Sequence, residues 1–145
     1  MTEHSSKTLS PDQIIEAVMK KDFAAQAMGI KLEGVAEGYA KLSMLVRHDM
    51  LNGLALCHGG IIFALADTAF AYACNSRNRR TVALQCTINF INSAAEGDTL
   101  FAEAREISLK GRTGVYDIAI SNGKGQAVAE FRGTSYGTSG ETVEL

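Results

Sequence analysis

The chain has 145 residues, with 14 Lys plus Arg against 16 Asp plus Glu, three Cys, one Pro and no Trp. That length supports one domain with a sizeable core, and a formal charge of −2 with a pI near 5.9 gives no electrostatic basis for a nucleic-acid or anionic-membrane partner. Cys57, Cys74 and Cys86 form no C-x-x-C pair, so neither a disulfide framework nor a zinc site is supported, and an odd number of thiols without a secretory leader predicts a cytoplasmic protein.

Residues 1–9 are polar and aperiodic and read as a flexible N-terminus, leaving a single domain over 10–137 and a flexible tail over 138–145. Ser10-Pro11-Asp12-Gln13 is a helix start: serine at the N-cap, proline at the tolerant first position and glutamine completing a capping box. Ile14, Ile15, Val18, Met19 and Ala25 then form an apolar stripe at helical spacing, and Gly29 is placed to end it. From Ile30 to Val46 the pattern changes to two strands punctuated by Gly34 and Gly38. In the second, Ala40, Leu42, Met44 and Val46 alternate with Tyr39, Lys41 and Ser43, the period of a half-buried strand.

After a connection holding His48, Asn52 and Gly53, the stretch His58–Ser76 is apolar on nearly every helical face. A helix of this kind must be enclosed; lipid is disfavoured because Asp67 falls in its middle, so a buried core helix is predicted. Val82, Leu84, Cys86, Ile88 and Phe90 then alternate with Ala83, Gln85, Thr87 and Asn89, followed by a Gly97-Asp98 turn and strands over 99–109, 115–121 and 126–136, the last pair joined at Asn122-Gly123. Short turns between these strands indicate an antiparallel sheet. The expected fold is α+β: a long helix wrapped by a curved antiparallel sheet, with an extra N-terminal helix.

Asp67 is the only ionisable carboxylate between Ile61 and Ser76. Its burial requires a partner, a proton or a cavity, and either a structural or a catalytic aspartate meets that condition. His58-Gly59-Gly60 stands where the helix should begin, with unpaired N–H groups and the positive end of the dipole, a setting that can polarise a carbonyl oxygen. Asn52 could orient a carbonyl or a water. Eight residues separate Gly59 from Asp67, about 12 Å along a helix. That is too far for both to serve one carbonyl, so joint action requires a second, antiparallel subunit and hence a homodimer with composite sites.

The pattern N-G-x-x-x-x-H-G-G-x-x-F-x-L-A-D, from Asn52-Gly53 through His58-Gly59-Gly60 to Phe63 and Leu65-Ala66-Asp67, resembles the signature of the hotdog-fold acyl-CoA thioesterases. The segments DTAFAYACNS, VALQCTINF and GRTGVYDI extend the similarity over about Asp22 to Tyr136. The resemblance implies hydrolysis of aromatic acyl-CoA thioesters of the (hydroxy)phenylacetyl type, by dimers that usually pair into homotetramers. It maps the acid onto Asp67, the carbonyl-polarising amide onto Gly59, and substrate-binding positions onto Asn52, His58 and Gly60. It places the basic turn Lys110-Gly111-Arg112 near the coenzyme A nucleotide, which residue types alone leave as equally an ordinary solvated hairpin. Coenzyme A is then part of the substrate, and no metal or separate cofactor is expected. Ala83 stands where some relatives carry a water-positioning serine, so that role is not carried over. A hotdog dehydratase or hydratase using His58 as base, and a non-catalytic acyl-CoA-binding sensor, are the alternatives.

Overall fold

The computed structural model of the protein describes residues 8–144. Residues 1–7 of the expected flexible N-terminus, and Leu145, lie outside the described residues, while Leu9 packs against the core. Helix α1 (Pro11–Met19) starts with the predicted capping box: Gln13 N donates to Ser10 Oγ at 3.2 Å and Ser10 N to Gln13 Oε1 at 3.0 Å. The continuous helix expected as far as Gly29 is instead broken at Lys20–Asp22. Asp22 caps a second short helix, α2 (Phe23–Ala27), by accepting from Ala25 N at 3.1 Å. Aspartate favours such a cap over a helix interior because its side chain competes for backbone donors. Gly29, at φ +68°, ends α2 as expected.

Strands β1 (Lys31–Ala36), β2 (Tyr39–Leu45), β3 (Thr81–Phe90), β4 (Thr99–Lys110), β5 (Thr113–Asn122) and β6 (Ala127–Gly137) form one antiparallel sheet in the order β1-β2-β4-β5-β6-β3. Gly34 sits at a bulge in β1, where a strand glycine most often has its use. The 17-residue helix α3 (Gly59–Asn75) lies against the sheet, touching β2 through β6. Ala40, Leu42 and Met44 of β2 face Ala104, Ala102 and Leu100 of β4 in register, and all six are buried. These small and large residues, alternating along two strands, make the floor on which α3 rests.

The face of α3 toward the sheet is fixed by an aromatic cluster. Phe70 packs against Tyr116 with ring centroids 5.5 Å apart and against Phe131 at 5.9 Å, while Phe63 meets Phe131 edge-on at 5.2 Å. Gly133 leaves room for the Phe70 ring, whose atoms would stand 2.7–2.9 Å from a Cβ at that position. The segment expected as a free tail is tied down as far as Val143. Thr138 N donates to Arg80 O at 2.8 Å, Thr142 Oγ1 to Asn75 Oδ1 at 2.8 Å, and Val143 N to Asn78 Oδ1 at 2.8 Å.

Strand β3 departs from the alternation read in its sequence. Its apolar residues share one parity, yet Val82, Leu84 and Phe90 are 47%, 65% and 54% exposed in the protomer. The strand is the sheet edge beside β6, and a bulge between Ala83 and Gln85 puts Val82 on the face opposite Cys86 and Ile88, which pack against the core.

A Cβ at Gly133 collides with a ring that its aromatic neighbours hold in place. Gly133→Ala is therefore expected to lower the unfolding free energy by about 1–3 kcal/mol, read from urea denaturation; an unchanged midpoint would show that Phe70 is free to move aside.

Candidate active site

The loop before α3 is built by its own polar groups. Asn52 Oδ1 accepts from Leu54 N at 2.9 Å and Leu56 N at 3.2 Å, Asn52 N donates to Leu56 O at 2.7 Å, and Ala55 takes φ +59° to close the turn. Asparagine is suited to this because its carbonyl imitates a backbone acceptor. Its Nδ2 has no partner among the described residues, so one amide donor remains available. Leu51 bridges to Cys57, and Cys57 N donates to Ala94 O at 2.8 Å, which delivers the chain to the helix start in a fixed direction.

A helix leaves its first four N–H groups without intrahelical partners. In α3 these belong to His58, whose N–H donates to Met50 O at 2.8 Å, and to Gly59, Gly60 and Ile61. His58 is the N-cap: its Nδ1 accepts from Gly60 N at 2.9 Å, and its carbonyl accepts from Ile61 N at 2.9 Å and Ile62 N at 3.2 Å. Gly59 N–H alone of the four finds no acceptor among the described residues. The predicted carbonyl-polarising group is thus a single free donor at the positive end of a helix of 17 residues. His58 has a role that its sequence position did not reveal. Its Nδ1 lone pair is committed to the helix, which leaves Nε2 to carry the proton of the neutral ring. Gly60 is capped rather than free. Gly59 itself is overlain by Phe90, whose ring a Cβ at position 59 would approach to 3.3 Å.

Asp67 lies mid-helix on the face of α3 that the sheet does not cover, half-buried, and its carboxylate accepts no hydrogen bond from the described residues. Desolvation, and secondarily the charge of Asp22, push its pKa above the ordinary aspartate value. Its charge also reaches Cys86 on β3. Helix and edge strand run antiparallel, with Gly59 next to Phe90 and Asp67 toward Cys86.

The structure does not bring all the predicted residues together. Lys110, Gly111 and Arg112 form the exposed β4–β5 turn at the opposite end of α3 from Gly59, beyond its C-terminus. There Arg79 Nη1 donates to Gly111 O and Arg112 Nη1 to Gly137 O, both at 2.9 Å. Seventeen helical residues span about 25 Å, so one protomer cannot offer Gly59 and this turn to the same small region. The thiols are unsuited to nucleophilic work: burial raises Cys57 and pushes Cys74 up to about 12. No group of three or more potential metal ligands occurs among the described residues, and no described helix is long and apolar enough to cross a membrane.

Residues 54–129 match the model of the thioesterase superfamily. Acyl-coenzyme A thioesterase PaaI of Escherichia coli K12 is 48% identical over 124 residues, which cover 86% of this chain and 89% of that protein. The solved structure of the E. coli PaaI protein, from the phenylacetic acid degradation operon, matches at a TM-score of 0.89 and 46% identity, over 90% of this chain and 95% of that one. A Streptococcus mutans protein solved bound to acetyl CoA matches at a TM-score of 0.74 and 29% identity, over 77% of this chain and 90% of that one.

A carboxyl whose folded-state pKa is raised penalises the folded state as it ionises. The penalty is absent below the unfolded-state pKa, grows as pH rises between the two values, and is complete above the folded one. Asp67→Asn is therefore expected to be more stable than wild type at neutral pH, with the gain shrinking as pH falls into the acid range. Paired denaturation curves at several pH values measure this, and equal stabilities at neutral pH would contradict it.

Proposed function

The chain belongs to the hotdog-fold thioesterase superfamily, and from that premise we propose that it is an acyl-CoA thioesterase hydrolysing aromatic (hydroxy)phenylacetyl-CoA thioesters to free acid and CoA in phenylacetate catabolism. The observation that carries the mechanism is the single unpaired N–H of Gly59 at the start of the same helix that holds the unpartnered carboxylate of Asp67. An electrophilic donor and a base or nucleophile are the parts acyl transfer needs. The substrate class rests on the similarity to PaaI over nearly the whole chain.

In this reading the thioester carbonyl accepts from Gly59 N–H, which stabilises the negative charge gathering on oxygen as the carbon is attacked. Asp67 of the other subunit removes a proton from water, whose oxygen bonds to the carbonyl carbon. The C–S bond then breaks, and the proton passes to the departing thiolate. Direct attack by Asp67, giving a mixed anhydride that water resolves, has the same overall balance. Asn52 Nδ2 orients the carbonyl or the water. Lys110 and Arg112 face the phosphates of the nucleotide, with Gly111 giving the turn its left-handed residue at φ +61°. Proximity to the partner's positive helix end eases the ionisation that burial opposes.

The composite site requires a second copy, and the β3 edge supports one. It carries a ten-residue row of backbone groups paired on only one side, together with uncovered Val82, Leu84 and Phe90. Antiparallel pairing along β3 sets the N-terminus of one α3 toward the middle of the other, where Asp67 lies. It also carries Gly59 toward the partner's end of the sheet that holds the 110–112 turn. The exposed Phe23 and Leu54 offer surfaces for pairing dimers into tetramers. Three unpaired thiols suit a reducing cytosol. The dehydratase alternative is weakened by the engagement of His58 Nδ1 with Gly60 N.

Asp67→Asn is expected to lower CoA release from phenylacetyl-CoA by roughly a hundredfold to ten-thousandfold while the chain still folds and dimerises. Retained turnover would sink the assignment, and undiminished tight binding without turnover in the wild type would favour the sensor. Gly59→Val, which blocks the carbonyl site, and Asp67→Asn should each be inactive alone. After mixing and subunit exchange, about one quarter of wild-type activity should return, since half the dimers then carry one intact site. No recovery after demonstrated exchange would place both residues in one protomer's site.

A further inference from the structure

At the C-terminal end of α3, away from Gly59 and Asp67, a cavity of about 30 Å³ lies between the helix, the start of β3 and the β4–β5 turn. It has no part in the mechanism above. Its volume admits one or two occupants of the size of a water molecule, each needing roughly 10–15 Å³, and excludes a phosphate or an acyl chain.

Ser135 of β6 lines this cavity, is 1% exposed, and its Oγ has no hydrogen-bond partner among the described residues. The sheet register explains why. Ser135 stands opposite Ala83 on β3 and Gly114 on β5, and neither side chain can bond a hydroxyl. A Cβ at position 114 would come within 2.7 Å of the Oγ, so glycine there keeps the hydroxyl uncovered. Leaving a buried hydroxyl unpaired is costly, and an occupant that accepts its proton removes that cost.

Charge selects the occupant. Arg77, Arg79 and Arg112 line the cavity, and no carboxylate does. Arg77 is balanced by Glu106 at 2.7 Å and Glu37 at 3.8 Å. Arg79 and Arg112 bond only to main-chain carbonyls among the described residues, Gly111 O and Gly137 O, each at 2.9 Å. Each guanidinium has five N–H donors, so most of them remain to be used. Both groups meet at Gly137. Its carbonyl holds Arg112, and its missing side chain makes room for Arg79, whose Nε would stand 2.6 Å from a Cβ there. Two like charges are thus brought together over one residue, an arrangement that an anion between them relieves. The negative end of the α3 dipole, equivalent to about half a charge, offsets only part of the excess. Tyr116 also lines the cavity, and burial pushes its phenol up to about 12, so it keeps its proton and adds no negative charge. A water would satisfy Ser135 and leave the two guanidinium groups unbalanced, whereas an anion of atomic size does both.

We propose that this cavity is a halide site, holding a chloride ion between the Ser135 hydroxyl and the guanidinium groups of Arg79 and Arg112. The ion ties the β4–β5 turn to β6 and to the segment that follows α3, and it is independent of the thioester site. Urea unfolding of wild type, Ser135→Ala and Arg79→Gln tests this, in sodium chloride against sodium gluconate at equal ionic strength and fixed protein concentration. Above the dissociation constant, the wild-type folding constant per protomer should rise about tenfold for each tenfold increase in chloride. In both variants that rise should vanish or move to at least about tenfold higher chloride. A wild type indifferent to chloride, or variants that respond as it does, would overturn the site. Should a variant fail to fold, wild-type crystals grown in sodium bromide decide: an anomalous peak in contact with Ser135 Oγ upholds the site, and a water in that position overturns it.

Discussion

The enclosure of α3 is the constraint on which the rest of the molecule depends. A helix without a polar face cannot be exposed to water on any side without losing burial, and a single sheet can cover only part of it. The sheet curves around the flank where Leu65, Phe70 and Ala73 lie fully buried, and α1 leans Ile14 and Ile15 into the same core. What remains is the face carrying Asp67 and Ala71 and, beside it, an edge strand with uncovered apolar residues. The exposed apolar residues of the protomer and the position of the proposed acid have a common cause: the sheet stops before the helix is fully covered.

Much of the architecture was legible because it is written in local rules. The capping box at Ser10–Gln13, the period-2 run in β2, the turn at Asn122-Gly123 and the unbroken apolar stretch of α3 each specify their own structure, and each is found. The break at Lys20–Asp22 was not legible, because the apolar stripe continues across it and only the cap made by Asp22 ends the first helix. The position of β3 was equally hidden. Its alternation describes a buried face, and only the sheet order and the bulge between Ala83 and Gln85 show that it lies beside β6 at an edge with Val82 turned away from the face of Cys86 and Ile88. The anchoring of 138–143 rests on Asn75 and Asn78 acting at long range, a pattern without sequence periodicity.

The candidate site divides along the same line. Asp67 stood out because a charge in an apolar helix violates local expectation, and Gly59 because glycines open that helix. His58 was harder to place. Its residue type invites an acid–base role, whereas a ring nitrogen 2.9 Å from Gly60 N is a helix cap, and that distinction is invisible without coordinates. Asn52 proves to have two separable halves, a carbonyl spent on holding its loop and an amide left over. The Tyr72–Asp22 contact, between residues fifty positions apart in sequence, had no signal in either neighbourhood.

The division of donors at the start of α3 has a consequence for how this chain can vary. The one free donor belongs to the main chain, so every residue except proline supplies it equally well, and no side-chain deletion removes it. In the proposed mechanism position 59 must satisfy clearance, with the Phe90 ring close by and room left for the carbonyl. A mutational scan would therefore report Gly59 as a size limit, with intolerance growing by side-chain volume rather than by chemical type. The electrophile itself would leave no trace in the scan, and its existence would have to be inferred from the one glycine that nothing is allowed to outgrow.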